Sequence, residues 1–109
     1  MKTLADGRSA AASPPPLDVL RQRRDEILAL AADHGAHHVR VFGSVARGEA
    51  DSDSDLDLLV DFDSNVGLLR WAELIVALER LLGCAVDVAT VPSLKPRARE
   101  RALAEAIAL

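Results

Sequence analysis

The 109-residue sequence contains no tyrosine, only two phenylalanines and one tryptophan, and a single cysteine. Because aromatic side chains are so scarce while half of the residues are hydrophobic, the core must be built from leucine, valine, isoleucine and alanine. One cysteine, Cys84, excludes an internal disulfide and favours a reducing cytoplasm. The sequence also has no apolar run of about 18 residues, which argues against a membrane span, and no apolar run suited to a signal peptide near its start.

Basic residues are fewer than acidic ones, thirteen against seventeen, and the net charge is −4. The excess of acid is local, since the range 49–63 holds seven acidic residues and no basic one. Such a concentration indicates a site more than a generally anionic protein. A pI near 5.3 also argues against a broad basic surface, so no direct binding of nucleic acid is expected.

Hydrophobic periodicity predicts the element order helix, strand, strand, helix, strand, helix. The predicted elements are a helix over 17–34 ended by Gly35, strands over 37–42 and 55–62, a helix over 67–82 ended by Gly83, a strand over 85–89, and a helix capped by Ser93 that runs through about Ile107 with Pro96 in its first turn. Residues 1–16 are small and polar and end in three prolines, so they predict a disordered leader before one minimal domain over 17–109.

The connections between the predicted strands limit the topologies that the sheet can have. A helix joins the second strand to the third, which allows a parallel crossover, and a short segment joins the first to the second. An α/β or α+β domain is therefore predicted, with a small mixed sheet flanked by helices. The clearest helix carries one apolar stripe of Leu68, Trp71, Ile75, Leu78 and Leu82. Trp71 is interpreted as part of that stripe, with base stacking as a less favoured role.

Alternation in the second strand sorts its side chains onto two faces. One face carries Leu56, Leu58, Val60 and Phe62, and the other carries Asp55, Asp57, Leu59 and Asp61. Asp55 and Asp57 therefore share a face, with their Cα atoms about 7 Å apart. Their carboxylates can converge on metal ions about 4 Å apart, as in two-metal sites for phosphoryl transfer. Magnesium favours such oxygen ligands together with water and phosphate oxygens.

Asp87 is the candidate for a third acidic ligand. In the predicted strand 85–89, Val86 and Val88 face one way and Asp87 the other, and an unpaired acid is costly to bury in a short apolar strand. A solvent-facing position at the strand edge is the alternative. If this strand pairs with strand 55–62, the three acids can meet on one face of the sheet.

The turn after the first strand supplies groups that suit a phosphate. Gly43 has no side chain, so its backbone can approach a ligand closely, and Ser44 offers a hydroxyl and an N–H group. Arg47 can add a charged donor. A phosphate site ten residues before a metal-binding pair is the arrangement needed to hold a metal–nucleoside triphosphate.

The acidic segment has two other interpretations, a calcium loop and a plain acidic surface loop. Aspartates at 51, 53 and 55 resemble the start of a calcium loop, which needs glycine at its sixth position and glutamate at its twelfth. Those positions hold Leu56 and Phe62, so a calcium loop is excluded. A plain acidic surface loop accounts for residues 49–54, but not for aspartates that alternate with leucines in a strand.

The histidines and the C-terminal basic residues are interpreted as structural or solvated residues instead of as parts of a site. The three histidines, His34, His37 and His38, are poorly spaced for zinc and are assigned to a helix end and a strand start. The basic residues near the C-terminal helix scatter around it, so solvated charge is the default and a contact with an acidic or nucleotide partner is the minority interpretation. These basic residues are Lys95, Arg97, Arg99 and Arg101.

The segment GSVARGEADSDSDLDLLV resembles the pattern of the DNA polymerase beta-like nucleotidyltransferase superfamily, which is Gly-Ser, ten residues, then Asp-x-Asp. Gly43-Ser44 and Asp55-Leu56-Asp57 match it without departure. The surrounding residues are similar to those of the minimal nucleotidyltransferases, the MntA-like proteins, and the resemblance covers residues 17–109. The combined motif is specific, whereas either half alone would be weak.

The resemblance implies a site for magnesium, with two ions, and for ATP. It implies that Asp55 and Asp57 bind metal, that Asp87 is the third acid and a candidate base, and that Gly43 and Ser44 hold the triphosphate with Arg47 nearby. It further implies attack on the α-phosphorus with loss of pyrophosphate. Members of this minimal group are antitoxins of HEPN–MNT modules that transfer AMP to a tyrosine of the HEPN ribonuclease toxin. A HEPN-type toxin is therefore the expected partner.

Two alternatives stay open at this point. The first is an antitoxin without catalysis that neutralises its partner by binding. The second is a nucleotidyltransferase for a small molecule, which normally needs an acceptor-binding domain.

Overall fold

The computed structural model describes residues 13–109, in which helices pack against a mixed sheet of four strands. The elements are α1 (Leu17–Gln22), α2 (Arg24–Asp33), β1 (Ala36–Phe42), α3 (Gly43–Arg47), β2 (Leu56–Phe62), α4 (Leu68–Leu82), β3 (Val86–Ala89), a 3-10 turn (Val91–Ser93), α5 (Pro96–Glu105) and β4 (Ile107–Ala108). The predicted α/β class with a small mixed sheet is confirmed. Most of the leader predicted for 1–16 lies outside the described residues. No helix within 13–109 is long and apolar enough to cross a membrane.

The strand order in the sheet is β3-β2-β1-β4. β1 runs antiparallel to β2 and to β4, whereas β2 and β3 are parallel. Parallel neighbours need a crossover connection, and α4 provides it. The parallel pairing that the helix between the second and third strands allowed is therefore present.

The two faces of β2 pack against different layers. Leu56 and Leu58 are fully buried in the main core, which α1, α2 and α4 also line. Leu59 points the other way and is buried in a small cluster with Ala89 and Ala102 of α5. Because side chains alternate along a strand, Asp57 lies on the same face as Leu59. Asp57 is thereby directed to the side of the sheet that α5 covers.

The single helix predicted over 17–34 is wrong. The segment forms α1 and α2, which are separated at Arg23, whose φ of −103° and ψ of 17° leave the helical region. The Arg23 guanidinium donates a hydrogen bond of 3.2 Å to the carbonyl of Leu81, which ties this break to the end of α4. The predicted end at Gly35 is confirmed, because Gly35 has a left-handed φ of +77°.

Helix α4 ends at Gly83 as predicted, but its first leucine does not lie in the core. Leu68 is 82% exposed, so its assignment to the apolar stripe is wrong, and Leu74 is fully buried instead. Trp71 packs on Phe62 with ring centroids 5.1 Å apart, and its indole N–H donates a 2.9 Å hydrogen bond to the carbonyl of Val88. Trp71 therefore fixes α4 to the sheet, as the packing interpretation predicts.

The C-terminal segment differs from the prediction at both ends of its helix. Ser93 does not cap α5, because it forms a reciprocal cap with Thr90 around the 3-10 turn. Pro96 is at the first position of α5, as expected. The helix stops at Glu105, and Ile107–Ala108 leaves it to form β4 beside β1. A strand of two residues has no periodicity to detect, so the sequence could not show it.

Candidate active site

Two of the three predicted acids are brought together by the parallel strand pair. Asp57 of β2 and Asp87 of β3 are Cα partners, so their side chains lie on the same face of neighbouring strands. Asp55 directly precedes β2 and shares the parity of Asp57. Asp57 is half-buried, whereas Asp55 and Asp87 are exposed. The buried member of the group is thus flanked by two acids that water can reach.

The carboxyl of Asp57 is electrostatically disfavoured as an anion. Its pKa is raised from 3.8 to about 6, chiefly by burial and then by the negative charges of Asp87 and Asp55. The positive charge of Arg47 acts in the opposite direction and compensates only in part. A divalent cation would relieve this repulsion, because a nearby opposite charge favours the ionised form of a carboxyl.

The donor set suits magnesium by its chemistry. Asp55, Asp57 and Asp87 offer carboxylate oxygens, which hard cations prefer, and the exposed pair leaves room for water and phosphate ligands. Within residues 13–109, however, no three carboxylate, imidazole or thiolate side chains converge into a ready-made metal site. The strand register brings Asp57 and Asp87 together, and Asp55 lies beside them without completing a set of three metal ligands.

Gly43 lies against Asp57 so closely that no side chain fits between them. A Cβ atom at position 43 would be 2.3 Å from the Oδ2 atom of Asp57, and Gly43 also has a left-handed φ of +73°. The contact arises because Phe42, the preceding residue, pairs with Asp57 across β1 and β2. Glycine is therefore required here on two grounds, and its backbone lies beside Asp57.

The predicted turn after β1 is a five-residue helix, α3, which ends at the left-handed Gly48. A cleft of about 380 Å³ opens between α3 and α5. The α3 side contributes Gly43, Ser44 and Arg47, and Asp57 lies at its floor on β2. Four of the predicted site residues thus line one cleft. Asp55 and Asp87 are outside its lining.

The opposite wall of the cleft comes from one face of α5, which the sequence interpretation did not include. Ala98, Arg101, Ala102 and Glu105 line it at positions i, i+3, i+4 and i+7. Arg101 is exposed, as a solvated residue would be, yet it borders the cleft. The helical spacing of two alanines and two charged residues was the available signal. The basic residues alone, at alternate positions, do not reveal this face.

Glu105 connects the two walls of the cleft through two hydrogen bonds. Its Oε1 accepts from the backbone N–H of Gly43 at 3.2 Å, and its Oε2 accepts from Nη1 of Arg47 at 2.8 Å. Arg47 also donates from Nε to Oε1 of Glu49 at 2.9 Å. These contacts raise the pKa of Arg47, and the hydrogen bond from Arg47 lowers the pKa of Glu105. Arg47 is therefore present at the site but already bonded to two carboxylates.

A second cavity, of about 460 Å³, lies on the other side of α3. Arg47 and Gly48 line it together with apolar residues such as Val45 and Leu17, but none of the three acids does. The cleft between α3 and α5 is the candidate active site, because it contains Asp57 and the Gly43 backbone.

The histidines are placed at separate contacts. His37 Nε2 lies 3.0 Å from Oδ1 of Asp63, and His38 Nδ1 lies 3.1 Å from Oδ2 of Asp61. His34 contacts a carbonyl within its own helix. Each imidazole thus has its own local partner.

Comparisons with known proteins agree with this architecture. The family model described as "Nucleotidyltransferase domain" matches residues 24–109. The protein adenylyltransferase MntA of Thermococcus cleftensis is 45% identical over 73 residues, which span 67% of this chain and 74% of that protein. The match covers most of both chains, so the chain is a homologue of the MntA proteins.

Two solved structures share the fold. A protein assigned as a minimal nucleotidyltransferase is 57% identical, with a TM-score of 0.76 over 87% of this chain and 97% of that one. A chain from the complex of the tri-AMPylated Shewanella oneidensis HEPN toxin with MNT antitoxin is 18% identical, with a TM-score of 0.62 over 81% of this chain and 69% of that one. The second likeness shows the fold alone.

Proposed function

This chain belongs to the nucleotidyltransferase domain family, and on that premise we propose that it transfers AMP from ATP to a hydroxyl group of a partner protein. The observation that supports the proposal best is the register of Asp57 with Asp87 directly beside the backbone of Gly43. That arrangement puts an acid pair next to a glycine backbone that lines the cleft. Both are needed to hold a nucleoside triphosphate at its reacting phosphorus.

In this proposal Asp55, Asp57 and Asp87 hold magnesium ions, two in number by analogy with two-metal sites. When bound, the metal would neutralise charge on the phosphates and on the leaving pyrophosphate. The raised pKa of Asp57 supports this role, because burial and the charges of Asp87 and Asp55 disfavour its anion and a bound cation would offset that cost.

The other groups of the cleft bind and orient ATP. The Gly43 N–H, the Ser44 hydroxyl and the Arg47 guanidinium are the donors available to phosphate oxygens. Asp87 is exposed on the neighbouring strand and can accept the proton of the attacking hydroxyl. The hydroxyl oxygen forms a bond to the α-phosphorus, and the bond from that phosphorus to pyrophosphate breaks.

We propose a tyrosine of a HEPN-type toxin in the cytoplasm as the acceptor, so that the chain acts as its antitoxin. The name of the relative at 45% identity, protein adenylyltransferase, supports a protein acceptor. The 109 residues contain no tyrosine, so a tyrosine acceptor has to come from a different polypeptide segment. The site would then be complete only with the partner docked at the mouth of the cleft.

The test is transfer of label from ATP labelled at the α-phosphorus. The protein is incubated with labelled ATP, magnesium and the HEPN protein encoded beside it, if one is present, and labelled partner is quantified. We expect label with the natural protein and with Asp53→Asn, which removes the same charge from the exposed loop. Asp57→Asn should abolish it. Equal labelling by Asp57→Asn, or none by the natural protein, would rule out the proposed activity.

Neutralisation by binding alone is the second candidate, and an exposed apolar pair favours it. Leu68 and Leu69 at the start of α4 are 82% and 75% exposed, and such residues can contact a partner protein. This candidate predicts that the double variant Asp55→Ala with Asp57→Ala still protects cells from the toxin. Loss of protection in a variant that still binds the partner assigns neutralisation to catalysis.

A further inference from the structure

The carboxylate of Glu105 lies where the proposed function places a phosphate group. One of its oxygens accepts from the Gly43 N–H at 3.2 Å and the other from Arg47 at 2.8 Å. These are two of the three donors assigned above to the triphosphate. A carboxylate with two acceptor oxygens satisfies the same donors that a phosphate would, so both anions cannot occupy them together.

We propose that Glu105 is a built-in competitor of the nucleotide, which binds only when the Glu105 side chain leaves Gly43 and Arg47. This inference rests on the proposed function. Glu105 lies 62 positions after Gly43, outside the Gly-Ser and Asp-x-Asp motif, so the motif assigns it no role.

The position of Glu105 lets it leave without disturbing the fold. It is the last residue of α5, and Ala106 already has extended backbone angles, with φ of −60° and ψ of 132°. Its side chain is 23% exposed and reaches the cleft from the rim. A change of side-chain rotamer is therefore enough to move the carboxylate into water, where hydration replaces the lost hydrogen bonds.

The charges of the cleft favour the exchange once a polyphosphate arrives. Arg101 precedes Glu105 by one helical turn and lines the same cleft. When Glu105 leaves, Arg47 loses a carboxylate partner, and the two arginines can both face the incoming phosphates. Glu49 still bonds Arg47 and keeps it near the site.

Competition of this kind has a quantitative signature. A ligand that binds only the open form has an apparent Kd equal to its intrinsic Kd divided by the fraction of molecules that are open. That factor is the same for every ligand that uses the Gly43 and Arg47 donors. Glu105 should therefore weaken ATP and pyrophosphate equally and leave adenosine, which has no phosphate, unaffected. Weaker binding of pyrophosphate would also speed its release after transfer.

The experiment measures the Kd of Mg·ATP, Mg·pyrophosphate and adenosine by calorimetry for the full chain and for Glu105→Gln. The variant keeps the size of the side chain and removes its charge. We expect its Kd to fall about three- to tenfold for both phosphate ligands, by one common factor, and to stay unchanged for adenosine. Glu100→Gln is the matched control, because it removes the same charge from an exposed position on the same helix that does not line the cleft.

An unchanged Kd for both phosphate ligands in Glu105→Gln overturns the inference, because Glu105 would then not compete with them. A higher Kd overturns it as well, because Glu105 would then orient Arg47 for the nucleotide. If Glu105→Gln does not fold, Glu105→Asp replaces it, since the shorter side chain withdraws the carboxylate from both donors and should lower the two Kd values in the same ratio. Tighter binding without any transfer of AMP keeps the inference and refutes the activity. Binding of neither phosphate ligand by any form refutes both.

Discussion

Asp57 and Asp87 are partners across two parallel strands, so a half-buried acid and an exposed acid lie side by side on one face of the sheet. The pairing depends on α4, which carries the chain from β2 back to the start of β3. Neither acid would be near the other in any local segment of the sequence. The strand pairing that forms the sheet therefore also brings together two acids of the site.

The first prediction concerns stability against pH without magnesium. The pKa of Asp57 is raised to about 6 in the folded chain, whereas its ordinary value is 3.8. Between these values the folded state binds more protons than the unfolded state, so this group lowers stability as pH rises from about 4 to about 6. Above pH 6 the full penalty is present.

Asp57→Asn removes that penalty. At pH 7 in the presence of a chelator, the variant should be more stable than the natural protein by about 1 kcal/mol, a figure reduced to allow for solvent screening of a half-exposed carboxyl. The difference should shrink below pH 5. Urea unfolding of both proteins across this range measures it, with Asp53→Asn as the control. A variant less stable by the same amount at every pH contradicts the electrostatic explanation.

The second prediction concerns magnesium affinity. A cation binds the ionised form of Asp57, so protons compete with it below pH 6. The rise in Tm caused by a fixed concentration of magnesium should be larger at pH 7.5 than at pH 5, with affinity falling up to tenfold per pH unit below 6. In Asp57→Asn the magnesium effect should be small at both pH values. A magnesium effect independent of pH argues that the ion binds elsewhere.

The third prediction separates backbone strain from steric clash at two glycines. Gly43 and Gly48 have nearly equal φ angles of +73° and +74°, so alanine should cost each about 1–2 kcal/mol through the backbone. Only at Gly43 does the added Cβ meet Asp57, since nothing lies within 4 Å of a Cβ at Gly48. Gly43→Ala should lose AMP transfer and be destabilised at least as much as Gly48→Ala, which should keep the transfer. Equal activity of the two variants would show that the contact with Asp57 is unimportant.

The fourth prediction concerns the base. Asp87 is exposed and has no role in the core, so Asp87→Asn should leave thermal stability within about 0.5 kcal/mol of the natural value. Its rate of AMP transfer should fall by about 100-fold or more, because it loses both a metal ligand and a proton acceptor. The two quantities are measured on the same preparation by thermal unfolding and by single-turnover labelling. Full activity after this change would remove Asp87 from the site.

Much of the site was predictable because β2 obeys period two strictly. Its alternation places Leu58 in the main core and Asp57 on the opposite face, and the same rule places Asp87 opposite its valine neighbours. The sequence allowed a parallel crossover, and the acids were expected to meet if strands 55–62 and 85–89 pair, as they do for Asp57 and Asp87. The close approach of a ligand to the backbone of Gly43 was also predicted, whereas the contact of Gly43 with Asp57 was not.

The remaining features depend on contacts that no local pattern carries. Glu105 reaches Gly43 from the last position of α5, which stops two residues before the predicted end near Ile107, and β4 then lies beside β1. The break at Arg23 is likewise stabilised by the distant carbonyl of Leu81. Both features arise from tertiary hydrogen bonds, which override the helical propensity of the segments concerned.

Trp71 is the only tryptophan in a sequence without tyrosine, and its indole N–H is bonded to the carbonyl of Val88, the residue after Asp87. Its ultraviolet emission is therefore a single-site signal from a side chain of α4 that is hydrogen-bonded to the strand carrying one of the acids. A shift of that emission when ligand is added would report movement of β3 without any attached label. The chain thus contains its own fluorescent probe, hydrogen-bonded to the strand that carries Asp87 and packed on the opposite face of the sheet from that acid.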